Sequence, residues 1–121
     1  MEKEFVEYDL ALRMKALGFD EPCFGYYNMK KKFNMGDYTT KHWKSTCLAP
    51  LYQQAFRWFR DVHKLWAYQI PWSGNMYAMT IYRLIEDSET VKTIQDRVIM
   101  NTWEEAELAC LKKLIEIVKN K

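Results

Sequence analysis

Cysteine and histidine side chains are the residues of this chain best suited to nucleophilic or metal chemistry. The scattered candidates are Cys23, His42, Cys47 and His63. Zinc sites usually contain short spacings such as Cys-x2-Cys or His-x3-His. These four residues lack such spacings, so we expect no metal. A Cys–His pair needs proximity in space rather than in sequence, so a small enzyme that uses Cys47 beside His42 or His63 is one alternative.

The chain lacks the glycine-rich motifs that would hold the phosphates of a nucleotide cofactor. The chain contains four glycines and neither a Gly-x-Gly-x-x-Gly nor a Gly-x4-Gly-Lys pattern. Carboxylates are frequent, but they cluster in the first turns of predicted helices and in residues 86–89, where helix dipoles and solvation explain them. We therefore expect no cofactor, and we assign no catalytic, cofactor-binding or metal-binding residue.

Aromatic side chains make up 16% of the chain. Most are expected in the core, because burying their large apolar area stabilises a short chain. Exposed Trp, Tyr and Arg side chains are typical of interaction hot spots. The predicted protein-binding surface consists of Trp43, Arg57, Arg60, Trp66, Tyr68 and Trp72.

Lysine side chains support a second interpretation, in which the protein binds single-stranded nucleic acid. Lysines would neutralise phosphates while the aromatic rings stack on bases. The predicted contacts are Lys30, Lys31, Lys32, Lys41 and Lys44. The formal net charge is only +2, and the pI of 8.4 is below the value of about 9 that is typical of nucleic-acid-binding domains. Protein binding is therefore the preferred interpretation.

The cysteine count and the hydropathy pattern indicate a soluble protein inside the cell. Three cysteines without a Cys-x-x-Cys pair favour free thiols in a reducing compartment. The charged N-terminal residues do not resemble a secretion signal, and no segment approaches the roughly 20 apolar residues of a membrane span. We expect no membrane partner.

Apolar residues at helical spacing predict three helices. The first ends at Gly18, which can adopt a left-handed cap conformation. The second begins near Pro50, since proline suits the first helical position. The third follows Thr102, which forms a capping box with Glu105. The apolar stripes are, in chain order, Val6-Leu10-Met14-Leu17, Leu51-Ala55-Trp58-Phe59-Val62 and Leu108-Leu111-Leu114-Ile115-Val118.

The segments between the helices predict two β-hairpins. The first pairs residues 23–27 with a strand inside residues 39–46, across a polar connection. The second pairs residues 65–72 with residues 76–85, across a turn rich in Pro, Ser, Gly and Asn. In its second strand we expect Tyr77, Met79 and Ile81 to face the helices.

These elements predict a single α+β domain over residues 1–121. Their order is helix, hairpin, helix, hairpin, helix, and we expect a mainly antiparallel sheet of about four strands with helices packed on one face. Residues 86–101 mix helical and strand patterns and are predicted to be irregular.

Three segments together resemble a family of short uncharacterised proteins encoded by bacteriophages, prophages and related mobile elements. They are LGFDEPCFGYY (17–27), LAPLYQQAFRWFR (48–60) and EEAELACLKKLI (104–115). The resemblance implies a phage or mobile-element origin and the cytoplasm of a bacterial host cell, and it implies no activity. We predict a non-enzymatic accessory protein that acts as a protein-binding adaptor, with the nucleic-acid-binding protein and the Cys/His enzyme as alternatives.

Overall fold

Helices and antiparallel strands form two compact units in this chain. A computed structural model describes residues 2–38, 47–72, 74, 76–84 and 91–120. The first unit is Met1–Ala55 and the second is Phe56–Lys121. In chain order the elements are α1 (Tyr8–Ala16), β1 (Cys23–Tyr27), β2 (Phe33–Tyr38), β3 (Cys47–Ala49), α2 (Tyr52–His63), β4 (Leu65–Pro71), β5 (Tyr77–Leu84), β6 (Val91–Met100) and α3 (Trp103–Lys119). The expected single domain over residues 1–121 stays a prediction.

The first unit contains an antiparallel sheet of three strands in the order β2-β1-β3. The aromatic rings of Phe5 and Phe33 pack 4.8 Å apart, centroid to centroid. Gly25 allows this contact, because a Cβ atom there would lie 2.7 Å from the Phe33 ring. The Tyr27 hydroxyl donates a buried hydrogen bond to the Val6 carbonyl oxygen. The rings of Phe5, Tyr27 and Phe33 therefore form an aromatic cluster within a core that also contains aliphatic side chains.

The second unit contains another three-stranded antiparallel sheet, in the order β4-β5-β6, and α3 packs on one of its faces. The Tyr77 ring meets the Trp103 ring of α3 edge to face at 5.6 Å. Met79 and Ile81 point to the same side as Tyr77, because alternate residues of a strand share a face, and both are buried. The prediction that these three side chains face a helix is therefore confirmed, and the helix is α3.

A single residue, Lys64, connects α2 to β4. Its φ angle is +57°, a left-handed conformation that few residues other than glycine adopt. Its N–H donates to the Arg60 carbonyl oxygen at 3.1 Å, which closes the last turn of α2. The chain therefore changes from helix to strand with no intervening loop.

The strand predictions are correct only in part: the second predicted hairpin is present as β4 and β5, whereas the described partners of β1 are residues 33–38 and 47–49. The described strands form two sheets of three rather than one sheet of about four. The polar connection predicted for residues 28–37 is too long, since β2 begins at Phe33 and only residues 28–32 connect β1 to β2. Residues 39–46, where the second strand was expected, lie outside the described residues. Residues 86–101 are not all irregular, because 91–100 form β6.

The helix predictions agree more closely with the structure. Gly18 follows α1 with a φ of +102°, and Thr102 caps α3 by accepting a hydrogen bond from the Glu105 N–H at 3.1 Å. Pro50 is not the first helical residue, since α2 begins at Tyr52. Val62 was expected to pack with its stripe but is 54% exposed. It lies in the last turn of α2, where the helix ends.

Candidate protein-binding surface

The sheet of the second unit has one face covered by α3 and a second face that carries exposed aromatic and aliphatic side chains. We call the second face the outer sheet face. Its residues follow from the strand register, since residues paired across antiparallel strands point to the same side. They are Trp66, Tyr68 and Ile70 of β4, Ala78, Thr80 and Tyr82 of β5, and Ile99 of β6.

Large side chains on the edge strands of the outer sheet face flank small ones on the central strand. Tyr68, Ile70 and Ile99 are 48%, 45% and 47% exposed, whereas Ala78 and Thr80 are 1% and 8% exposed. In the register, Ala78 lies directly between Ile70 and Ile99. The edge-strand side chains therefore shield Ala78 and Thr80 and form an apolar strip along β5, and we call the line between the flanking side chains the groove.

Ile70 and Ile99 flank one end of this groove, and two tyrosines lie toward the other end. The Tyr68 and Tyr82 rings lie 6.0 Å apart, centroid to centroid, with a tilted geometry. Tyr82 is paired in register with Trp66, and both side chains are half-buried. Aromatic side chains at this end combine apolar surface with polar hydroxyl and indole groups. The groove can therefore make apolar contacts and hydrogen bonds with the same ligand.

The structure brings together two of the six residues predicted for protein binding. Trp66 and Tyr68 share the outer sheet face, as alternate residues of β4. Trp72 follows the end of β4, where it is half-buried, and its backbone N–H donates to the Met76 carbonyl oxygen at 2.8 Å. Trp43 lies outside the described residues.

Arg57 and Arg60, the two predicted arginines, lie on the exposed side of α2. Arg60 forms an ion pair with Asp61 at 3.4 Å, with both side chains largely exposed. Such surface pairs contribute little to stability, so both guanidinium groups are accessible to a partner. No described contact joins these arginines to the outer sheet face.

Sequence reasoning missed Ile70, Tyr82 and Ile99 as members of the surface. Only the register of β4 with β5 and of β5 with β6 places Tyr82 and Ile99 on the same face as Tyr68. The two-residue alternation in β4 could have indicated Ile70, since it follows Trp66 and Tyr68 at the same spacing. Ile99 carried no usable signal, because its strand was not predicted.

Comparisons with known proteins give this chain no family. No protein-family model, curated protein or solved structure matches it. The outer sheet face is therefore interpreted from its own geometry. Among the described residues, no helix combines the length and the apolar character that crossing a membrane requires.

Three of the five lysines predicted to contact nucleic acid lie in the turn between β1 and β2. Lys30, Lys31 and Lys32 are all exposed there. The Asn28 side-chain oxygen accepts hydrogen bonds from the backbone N–H groups of Lys30 at 2.9 Å and Lys32 at 3.0 Å. Lys41 and Lys44, the other two predicted contacts, lie outside the described residues.

The three thiols are buried in positions that disfavour nucleophilic chemistry. Burial raises the pKa of Cys23 to about 12, and the nearby Glu21 carboxylate adds to the increase. Burial also raises the pKa of Cys47. It raises the pKa of Cys110 to about 12, an effect that Gln69 opposes because it can hydrogen-bond to the thiolate. All three thiols are therefore protonated at neutral pH.

The described residues contain no metal site, and only one of the two histidines lies among them. The His63 ring packs edge to face on the Trp58 ring at 4.9 Å, whereas His42 lies outside the described residues. Within the described part of the chain, no three His, Cys, Asp or Glu side chains are grouped as metal ligands would be.

Proposed function

We propose that this chain is a non-enzymatic accessory protein that binds another protein through its outer sheet face. The observation that carries the proposal is the row of three large apolar side chains, Tyr68, Ile70 and Ile99, each nearly half exposed around buried small residues. Apolar side chains scattered singly on a surface need no explanation, but a contiguous patch is typical of an interaction site.

The composition and dimensions of the groove support a protein ligand. Trp and Tyr are enriched at the centres of protein interfaces, where they supply a large contact area. The backbones of β4 and β6 are separated by two strand spacings, about 10 Å. That width is comparable with the diameter of one α-helix. A partner helix along β5 would therefore be the counterpart of α3 on the opposite face.

The setting of this function follows from the resemblance to phage and mobile-element proteins. We propose that the partner is encountered in the cytoplasm of a bacterial host cell and that the protein acts there as an adaptor. The buried thiols give the alternative of a Cys/His enzyme no support, because a thiolate is the nucleophilic form and burial keeps these thiols protonated.

Site-specific photo-cross-linking tests this proposal. A photoreactive phenylalanine analogue replaces Tyr68 in one variant and the exposed Val62 of α2 in the control variant, and each is irradiated in bacterial cells. We expect position 68, and not position 62, to give a discrete protein adduct that mass spectrometry identifies. Adding Ile99→Asp, which lies across Ala78 from Ile70 on the same face, should abolish the adduct because it places a charge in the apolar contact.

Three outcomes of this experiment would contradict the proposal. Equal adducts at positions 62 and 68 would mean that contact is not specific to the groove. An adduct of twice the monomer mass would show that the face joins two copies of this chain. Removal of the adduct by nuclease would show that the ligand is nucleic acid.

A further inference from the structure

The first unit carries a second exposed aromatic surface, on β1. Cys23, Gly25 and Tyr27 are buried, whereas Phe24 is 64% exposed and Tyr26 is half-buried. Phe24 and Tyr26 therefore share the face of β1 opposite the aromatic core. Strand positions two residues apart are separated by about 6.7 Å along the strand. The two residues are therefore at the backbone spacing of neighbouring contacts for one extended ligand.

The lysine turn follows directly after this strand. Lys31 has a φ of +63°, and its ammonium nitrogen lies 5.4 Å from the centre of the Tyr8 ring, a cation–π contact. Lys30, Lys31 and Lys32 form no ion pair with a carboxylate among the described residues. The turn therefore presents three lysines without a carboxylate partner among the described residues, of which Lys31 lies over the Tyr8 ring on the side of the sheet that carries Tyr27.

We propose that this surface binds single-stranded nucleic acid. Bases would stack on Phe24 and Tyr26, and the phosphates that follow would contact Lys30 and Lys32 directly and Lys31 once its side chain leaves the Tyr8 ring. Two features of the surface favour this ligand over an acidic protein segment. An exposed phenylalanine offers a flat ring that accepts any base, and the adjacent charges match a backbone with one phosphate per nucleotide.

This surface shares no residue with the outer sheet face, so the inference is independent of the proposed function. Single-stranded nucleic acid is recognised elsewhere by aromatic side chains on a sheet surface combined with basic residues. Phe24 was not among the residues predicted from sequence. Its exposure becomes evident only when the buried face of β1 is known.

Fluorescence anisotropy with the full chain tests the inference directly. The probe is a fluorescein-labelled oligothymidylate of about 20 nucleotides, longer than the 4–16 nucleotides that single-strand sites usually occupy. We expect binding that weakens with salt, and Lys30→Gln/Lys31→Gln/Lys32→Gln should reduce the slope of log K against log salt by about 2, since each phosphate contact contributes about 0.7. Phe24→Ala should weaken binding roughly 5- to 150-fold, as expected for one stacked base.

Matched controls separate this site from general charge attraction. Lys64→Gln/Lys112→Gln/Lys119→Gln removes the same charge from other exposed positions and should leave the slope nearly unchanged. Phe24→Trp keeps a stacking ring and should restore binding, whereas Met35→Ala changes an exposed side chain on the opposite face of the same sheet and should have no effect. Circular dichroism verifies the folding of each variant.

Several results would overturn the inference. One is the absence of oligonucleotide binding at about 50 mM salt, where such contacts are strong. Another is an equal loss of affinity in the two triple-lysine variants, which would indicate attraction by net charge alone. Unchanged affinity in Phe24→Ala, or equally tight binding of polyglutamate, would show that no base is stacked.

Discussion

The Tyr27 hydroxyl donates a hydrogen bond of 2.7 Å to the Val6 carbonyl oxygen, between residues 21 positions apart in the sequence. Both residues are buried, so this bond fixes the segment before α1 against the central strand of the first sheet. Loss of a buried hydrogen bond leaves its acceptor without a partner.

We therefore expect Tyr27→Phe to lower the free energy of unfolding by about 1–3 kcal/mol. Urea unfolding followed by circular dichroism measures the change. Tyr8→Phe is the matched control, because it removes a hydroxyl from the neighbouring ring, 5.5 Å away, and should have a smaller effect. Equal stabilities for wild type and Tyr27→Phe would show that the bond contributes nothing.

Gly25→Ala should destabilise the first unit by crowding its aromatic core. The new Cβ atom would lie 2.7 Å from Phe33 Cε1 and 3.0 Å from Phe5 Cδ1. Overpacking of this kind typically costs 1–3 kcal/mol. Thermal unfolding should show a lower midpoint, and Phe33→Leu in the same chain should recover part of the loss. If the single variant is as stable as wild type, the two rings have room to move.

Ile70→Ala and Ile81→Ala should differ sharply in stability, although the same atoms are removed. Ile81 is fully buried on the face that α3 covers, whereas Ile70 is nearly half exposed on the outer sheet face. Removing buried isoleucine atoms costs about 2–5 kcal/mol, and the loss at position 70 should be below about 1 kcal/mol. Chemical denaturation of both variants measures this difference. A large loss at position 70 would show that the outer sheet face is covered in the isolated protein.

The buried thiols should lower the free energy of unfolding at alkaline pH. The pKa of Cys23 and of Cys110 is raised to about 12 in the folded chain, against an ordinary value of 9.0. Above pH 9 the unfolded chain therefore binds fewer protons than the folded chain, so the free energy of unfolding decreases as pH rises. Below about pH 8 the thiols contribute no pH dependence. Urea midpoints between pH 7.5 and 10 should fall less in Cys110→Ala than in wild type.

Thiol labelling gives a second measure of the same burial. A pKa of about 12 instead of 9.0 leaves roughly a thousandfold smaller thiolate fraction near pH 8. A disulfide reagent should therefore react slowly with the native protein and rapidly with all three thiols in urea. Fast labelling of the native chain would contradict the buried positions.

The helix ends could be predicted from sequence because their determinants are local. Thr102 and Glu105 are three residues apart and bond to each other in the structure, and Gly18 adopts the positive φ that its position after α1 requires. Neither interaction depends on a distant part of the chain. Local rules of capping were therefore sufficient at both places.

The strand β6 could not be predicted because its pairing with β5 is irregular. The register shifts between Met79 and Ile81 and again between Ile81 and Tyr82, so extra residues of β6 oppose β5. Each such bulge interrupts the alternation of inward and outward side chains. The remaining apolar spacing of Val91, Ile94 and Val98 resembles a helix, although these residues lie in a strand.

The candidate surface was predicted only where it lies within one strand. Trp66 and Tyr68 were identified from their types, whereas Ile99 joins them through the pairing of Ala78 with both Ile70 and Ile99. Sequence alone does not give the register between strands, because the hydrogen bonds that set it connect distant residues. The lysine turn was predicted, but the exposure of Phe24 beside it was not.

The one-residue connection at Lys64 links the length of α2 to which side chains of β4 lie on the outer sheet face. Because side chains alternate along a strand, inserting or deleting one residue here would reverse the phase of β4 relative to α2. Leu65, Ala67 and Gln69 would then occupy the positions of Trp66, Tyr68 and Ile70, and the aromatic side chains would turn toward α3. A homologue that differs in length at this junction would need a compensating change nearby to keep the same side chains on the outer sheet face.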